Sequence, residues 1–106
     1  MQQPVSHFTN PDFWSFYKSL PADVQRTADK YFDLLKTDSK HPSLHLKKIG
    51  GAWSVRVGIH YRAVGMDAPS EARGILWVWI GSHAEYDRFI KKKIAKEKKD
   101  AVAGEP

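Results

Sequence analysis

Two arginines on either side of a short turn are the residues of this sequence best suited to hold an anion. Arg56 and Arg62 lie in neighbouring runs of alternating apolar residues, which predict a β-hairpin. If Gly58, Ile59 and His60 form its loop, Arg56 lies directly opposite Arg62. Like charges in that position repel each other, and a phosphate is the counter-anion that two guanidinium groups are shaped to hold.

Two other arrangements of these arginines stay open at this point. A loop that is one residue longer would place Arg56 opposite Ala63 and remove the repulsion. Each arginine could also pair with an acid of the same chain, although residues 44–66 contain no Asp or Glu. The candidate acids further along the chain are Asp67, Glu71 and Glu85.

A histidine at the start of the last predicted helix could move a proton. Ser82 and Glu85 have the spacing of a capping box, which predicts that a helix begins at His83. Unsatisfied backbone N–H groups at a helix start suit a phosphate, so the turn of residues 81–83 is a candidate phosphate site. The field of the helix favours a neutral imidazole, which general acid–base catalysis can use. The alternative is a solvent-exposed His83 without a chemical role.

Two lysines of the preceding strand could extend the basic surface. Successive side chains of a strand point to opposite faces, so only one of Lys47 and Lys48 can share the face of the two arginines. Residues 91–99 hold a further run of lysines. That run is as typical of a solvated helix end or a disordered tail as of a contact with nucleic acid.

Length and composition limit the class of protein. The chain has 106 residues, no cysteine and a formal net charge of +5, which favours an anionic partner. We expect a single domain at residues 1–100 and a frayed C-terminal tail at 101–106. The lack of cysteine excludes disulfides and thiolate sites, and the histidine spacing predicts no metal. With no apolar run long enough to span a membrane and no signal-peptide pattern, the cytoplasm is the expected location.

Apolar spacing and turn signals predict the elements that must position these residues. Asn10 and Pro11 begin a first helix, and Pro21 separates it from a second helix with a core-facing stripe. Strands are predicted at residues 44–49, 52–57, 61–66 and 75–80. The predicted fold class is α+β: an N-terminal α-hairpin packed on a curved antiparallel β-sheet of about four strands, with a C-terminal helix.

Alternation along the predicted hairpin assigns its side chains to two faces. The apolar set that includes Val55 would pack against the helices, and Arg56 and Arg62 would line the open side of the sheet. Trp77 and Trp79 are the type of residue that stacks on nucleic-acid bases. Aromatic residues in a central strand are more typical of a core, which is the interpretation we adopt.

Several segments together resemble the RelE/ParE superfamily of toxins from type II toxin–antitoxin systems. They are residues 20–25, 41–44, 47–51, 53–64 and 79–87. The resemblance extends over residues 8 to 94. The most specific part is the combination of an Arg-x-Gly-x-x-Tyr-Arg element, at residues 56–62, with a later Gly-x-His strand end, at residues 81–83.

The resemblance implies a small toxin that cuts messenger RNA, usually in the ribosomal decoding site, without a metal ion or other cofactor. In that reaction the 2′-hydroxyl attacks the adjacent phosphate. Arg62 matches the strand arginine that holds the scissile phosphate, and Arg56 with Lys47 or Lys48 matches the supporting basic positions. His83 falls where members of the superfamily place an acid–base histidine or a second arginine.

One position departs from the pattern of the superfamily. Its C-terminal tyrosine comes later in the last helix, where this chain has Phe89, and Tyr86 lies one turn earlier. The candidate catalytic residues are therefore Arg62, His83, Arg56 and Tyr86, and the candidate substrate-binding residues are Lys47, Lys48 and Ser82.

The resemblance also implies partners and alternatives. An acidic antitoxin with a disordered segment would wrap the basic surface, and mRNA on the ribosome would be the target. The superfamily also includes gyrase poisons that keep the fold without nuclease groups. We expect an endoribonuclease that blocks translation, with a gyrase-targeting toxin or a non-catalytic binding module as the alternatives.

Overall fold

A computed structural model describes residues 6–69 and 73–92. Its helices are α1 (Pro11–Lys18), α2 (Ala22–Thr37) and α3, of which residues 83–92 are described. Its strands are β1 (Ser6–Thr9), β2 (Lys47–Ile49), β3 (Ala52–Val57), β4 (Tyr61–Asp67) and β5 (Gly74–Ser82). The predicted tail at 101–106 and most of the lysine run lie outside the described residues.

The strands form one mixed sheet in the order β1-β5-β4-β3-β2. The predicted α+β class is confirmed, with an α-hairpin, a sheet and a C-terminal helix in that chain order. The count of about four antiparallel strands is wrong because β1 adds a fifth strand, parallel to β5. Gly74 allows this pairing, since a Cβ there would lie only 2.1 Å from the Ser6 carbonyl oxygen.

The strand predicted at residues 44–49 exists, but it begins three residues later than predicted. A short 3-10 turn covers Pro42–Leu44, and extended pairing starts only at β2. The imidazole Nδ1 of His41 accepts the Ser43 N–H at 3.1 Å, and His45 adopts a left-handed conformation with φ of 46°. The hydrogen bond stabilises the 3-10 turn, and the left-handed conformation of His45 prevents extended backbone at that residue, so the strand begins after it.

Local capping explains where α1 begins, and a side-chain amide joins it to α2. The Asn10 side chain accepts the Phe13 N–H at 2.8 Å, and Pro11 occupies the first turn, as predicted. The Gln25 side-chain amide donates to the carbonyls of Tyr17 and Leu20 at 3.1 and 3.2 Å. The two helices are thereby joined into the predicted hairpin. None of the described helices is long and apolar enough to cross a membrane.

Helices pack on both faces of the sheet, and α3 covers part of the arginine face, so the prediction that this face is open is wrong in part. One core lies between the sheet and the α-hairpin, where Phe13, Leu35 and Trp77 are fully buried. A second core lies between the sheet and α3. Its members are Ala52, Val64, Trp79, Tyr86 and Ile90.

A β-bulge explains why the two tryptophans of β5 belong to different cores. Val64 pairs with Trp79, but the next residue of β4, Gly65, pairs with Trp77, so Val78 is an extra residue in β5. The bulge reverses the alternation between the tryptophans. Both are core residues, with 0% and 7% exposure, which confirms the core interpretation.

Candidate anion-binding site

The β3–β4 hairpin has a three-residue loop, which is the first of the two arrangements that the sequence left open. Val57 pairs with Tyr61, and Arg56 lies directly opposite Arg62. Gly58 opens the loop with φ of 67°, a conformation that side-chain-bearing residues rarely adopt. The register with Arg56 opposite Ala63 is thereby excluded, and two like charges share one face of neighbouring strands.

Arg62 is held by its own loop and keeps a free edge. Its Nη1 donates to the carbonyls of Ile59 and Tyr61 at 3.3 and 2.7 Å. Its Nε and Nη2 groups have no hydrogen-bond partner within residues 6–69 and 73–92. Nε and Nη2 form the edge of a guanidinium that binds two oxygens of one phosphate, so Arg62 is preorganised for such a ligand.

Arg56 supplies a second cation that has no ion-pair partner within the described residues. Its Nε atom is buried and makes no hydrogen bond in the described part of the chain. A buried donor without an acceptor costs free energy, because it has lost water and gained no replacement. An oxygen of a bound anion could remove that cost.

No acid neutralises the two arginines among the described residues. The ion pairs found there are Lys36 with Asp33, Lys48 with Asp67, and His83 with Asp87. Of the candidate acids, Asp67 pairs with Lys48, Glu85 caps α3, and Glu71 lies outside the described residues. The hypothesis of neutralisation by Asp67 or Glu85 is therefore wrong.

The pKa of Arg62 reflects this unpaired environment. Partial burial lowers the pKa of Arg62, and the charge of Arg56 lowers it further. Tyr86 and Asp87 act in the opposite direction, but the net pKa shift is downward. The two guanidinium groups are thus close enough to repel each other, and an anion between them would relieve that repulsion.

The start of α3 has the predicted capping box. The Glu85 N–H donates to Ser82 Oγ at 3.2 Å, and Glu85 Oε1 accepts both the Ser82 N–H at 3.2 Å and the Ser82 hydroxyl at 2.9 Å. The His83 N–H donates to the His60 carbonyl at 2.7 Å. The expectation of unsatisfied N–H groups at residues 81–83 is therefore wrong, and a carboxylate occupies this end of the helix.

The side chain of His83 lies beside two residues of its own helix. Its Nδ1 is 3.7 Å from Asp87 Oδ2, and its ring stacks on Tyr86 with centroids 6.2 Å apart. His83 is exposed, whereas Tyr86 is only 8% exposed. Asp87 was missed by sequence reasoning, although its i, i+4 spacing from His83 was a usable signal.

The two lysines of β2 point to opposite faces. Lys47 pairs with Ser54, on the face of Arg56, and has no ion pair in the described ranges. Lys48 pairs with Trp53, on the other face, and its Nζ lies 2.8 Å from Asp67 Oδ2. The structure therefore brings Lys47, but not Lys48, to the arginine face. Ser82 is used in the helix cap.

Gly81, which the sequence placed in the candidate phosphate turn of residues 81–83, has a packing role that the sequence analysis did not predict. It pairs with Arg62, and a Cβ at this position would lie 2.6 Å from the Trp79 indole. The indole thus lies over Gly81, beside the arginine. A glycine within an apolar strand was the signal of this close approach. Separately, the described residues contain no cluster of three or more His, Asp or Glu suited to a metal ion.

Comparisons with known proteins identify the fold. No protein-family model matches the chain, and no curated protein matches it in sequence. Among solved structures, the free form of a substituted RelE toxin from Escherichia coli has a TM-score of 0.60 and 10% identity, over 90% of this chain and 98% of that one.

Two further solved structures have the same architecture. One is a RelBE toxin–antitoxin complex from Mycobacterium tuberculosis, with a TM-score of 0.57 and 14% identity over 76% of this chain and 100% of that chain. The other is a YoeB/ParE toxin from Agrobacterium tumefaciens, with a TM-score of 0.56 and 14% identity over 74% of this chain and 99% of that chain. Identities this low establish the fold alone.

Proposed function

Because the chain has the fold of the RelE/ParE superfamily, we propose that it is the toxin of a toxin–antitoxin system and that it cleaves messenger RNA on the ribosome. The observation that carries this proposal is the Arg56–Arg62 pair, which lacks an acid partner in the described residues. A partly buried pair of this kind suits a phosphate diester.

The arginines would act on the phosphate during cleavage. The 2′-oxygen forms a bond to phosphorus while the bond from phosphorus to the 5′-oxygen breaks, which leaves a 2′,3′-cyclic phosphate and a 5′-hydroxyl. Negative charge grows on the non-bridging oxygens in the transition state. The free Nε and Nη2 edge of Arg62 would hold these oxygens, and Arg56 would add a second charge.

His83 is the residue best suited to move the protons. Its exposed imidazole can accept the proton of the 2′-hydroxyl or, when protonated, give one to the departing 5′-oxygen. Asp87, with Oδ2 3.7 Å from Nδ1, would orient the ring. Tyr86 would support the ring by stacking, and its proximity to Arg62 acts to raise the pKa of that arginine.

A partner that covers the basic surface completes the proposal. Several structural neighbours are described as RelB–RelE toxin–antitoxin complexes. We expect an acidic antitoxin to neutralise this chain by covering the face of Arg56 and Arg62. Lys47 on the same face would add to the attraction.

Cell-free translation provides the test. The purified protein should stop translation and produce new RNA 5′ ends, whereas Arg62→Ala should reduce cleavage by about 100-fold or more because it removes transition-state charge stabilisation. Lys48→Ala is the matched control, since it removes an equal charge on the other face. Thermal unfolding of both variants would identify any loss of fold.

Intact messages with continued translation in the presence of the folded wild-type protein would contradict the nuclease proposal. If cells still stopped growing under those conditions, a supercoiling assay would detect a gyrase poison through stabilised double-strand breaks. His83→Gln should leave the yield of double-strand breaks from a gyrase poison unchanged, whereas it should reduce RNA cleavage by a nuclease.

A further inference from the structure

A cavity of about 300 Å³ lies on the opposite side of the sheet from the arginine pair. It opens between β1 and the α-hairpin, and five aromatic side chains form much of its wall: Phe13, Trp14, Tyr17, Phe32 and Trp77. Phe13 and Trp77 are fully buried, and Trp14 is 45% exposed. The cavity therefore has an apolar floor and an aromatic rim. Its volume is at the lower end of the range for small-molecule sites.

Two carboxylates lie on one wall of this cavity. Asp29 and Asp33 are one helical turn apart on α2, so they share a face. Asp33 pairs with Lys36 at 3.5 Å. Asp29 accepts the Tyr17 hydroxyl through Oδ1 at 2.7 Å, and its Oδ2 has no partner in the described part of the protein. One carboxylate charge is thus left unbalanced.

The remaining titratable group of the cavity is neutral. His7 accepts the Trp77 indole N–H through Nδ1 at 3.1 Å, which leaves the ring proton on Nε2. Partial burial lowers the pKa of His7, and the nearby Lys36 lowers it further. The lining therefore carries one uncompensated negative charge, on a chain whose formal net charge is +5.

We propose that this cavity binds a protonated amine carried on a small apolar body. The apolar body would fill the aromatic floor, and the ammonium group would lie against Asp29 and the faces of Trp14 and Tyr17, where cation–π attraction adds to the charge pair. An anion is disfavoured by Asp29 and Asp33. The ligand is either a free amine or the lysine side chain of a partner protein.

Three probes of similar shape test the charge preference. The full chain, labelled with ¹⁵N, is titrated with 2-phenylethylamine, 2-phenylethanol and phenylacetate while the indole N–H signals of Trp14 and Trp77 are followed. The amine should give saturable shifts at both signals, with a dissociation constant about tenfold lower than that of either other probe. Equal binding of the three, or no saturable shift, would overturn the proposal.

A matched pair of variants tests the role of Asp29. Asp29→Asn keeps an acceptor for the Tyr17 hydroxyl but removes the charge, and should weaken amine binding about tenfold. Asp23→Asn, on the same helix but outside the cavity lining, should leave it unchanged. Equal affinity of wild type and Asp29→Asn would contradict the assignment.

The source of the amine is decided with a capped Phe-Lys dipeptide. Tighter binding of the dipeptide than of 2-phenylethylamine indicates a partner's lysine, and weaker binding indicates a free amine; either supports the shared chemistry. Arg62→Ala should bind the amine like wild type. The proposal can therefore fail without affecting the proposed nuclease function, and the reverse also holds.

Discussion

The cations beside the two ends of the β3–β4 hairpin differ in whether an acid of the described residues pairs with them. At the end near β2, Lys48 is neutralised by Asp67, which also accepts the Trp53 indole N–H at 2.8 Å. At the loop end, Arg56 and Arg62 face each other with no acid partner among the described residues. The three antiparallel strands β2, β3 and β4 thus contain both a paired cation, Lys48, and two arginines without an acid partner in the described residues.

The paired and the unpaired cations also differ in how far they are buried. The side chains of Lys48 and Asp67 are 44% and 62% exposed, so their ion pair adds little to stability. Arg56 has a buried Nε without a partner, and there an acid would matter more. The acid is therefore present where stability needs it least. The unpaired end is better explained by an anionic ligand than by folding.

The largest expected effect on stability comes from Gly81→Val. The new side chain would displace the Trp79 indole from its position beside Arg62 and from its stacking with Phe89, at a cost of about 1 to 3 kcal/mol. Denaturant unfolding measures this cost. Lys47→Val, which adds the same side chain at an exposed strand position of the same face, should change stability by less than about 0.5 kcal/mol. Equal effects would mean that Trp79 does not support the loop end.

A charge reversal at the loop end should create an ion pair there, like the Lys48–Asp67 pair at the other end. Arg56→Glu places a carboxylate opposite Arg62, and should raise the free energy of unfolding by about 0.5 to 1 kcal/mol while RNA cleavage is lost. Arg56→Gln removes the repulsion without adding an ion pair, so the difference in stability between the two variants measures the contribution of the ion pair. A fall in stability in both variants would show that repulsion between the arginines is not significant.

The smallest effect on stability is expected at the end of the hairpin where Asp67 pairs with Lys48. Hydrogen bonds from Lys48 and then Trp53 lower the pKa of Asp67. Because the folded pKa lies below the unfolded one, the resulting stability is present above about pH 4 and is lost as the pH falls through the folded pKa. The melting temperatures of wild type and Asp67→Asn should differ slightly at pH 7 and converge at low pH. A difference that grows on acidification would contradict this linkage.

Local sequence signals were sufficient for much of the fold. The caps at Asn10 and Ser82 each depend on residues a few positions apart, so they could be predicted. The hairpin itself was predicted, but its register stayed open between a three-residue and a four-residue loop until the strand pairing was known. Strand β1 could not be predicted, because its four mostly exposed residues pair with residues 74–77 and have no apolar pattern of their own. The bulge at Val78, which places Trp77 and Trp79 in different cores, could not be predicted either, since it depends on the register with β4.

The candidate site was predicted in part. Alternation placed Arg56 and Arg62 on one face, but it could not tell which of Lys47 and Lys48 shared that face until the pairing of β2 was known. Nor could it show that α3 covers the sheet beside the arginines, because coverage depends on tertiary packing.

The central claim is that Arg56 and Arg62 together bind one RNA phosphate. Calorimetric titration with a short RNA whose attacking 2′-hydroxyl is methylated measures this binding without cleavage. Wild type and Lys48→Gln should bind alike, while the Arg56→Gln, Arg62→Gln double variant should lose most of the affinity and show a shallower dependence on salt. Unchanged affinity and salt dependence in the folded double variant would contradict the claim.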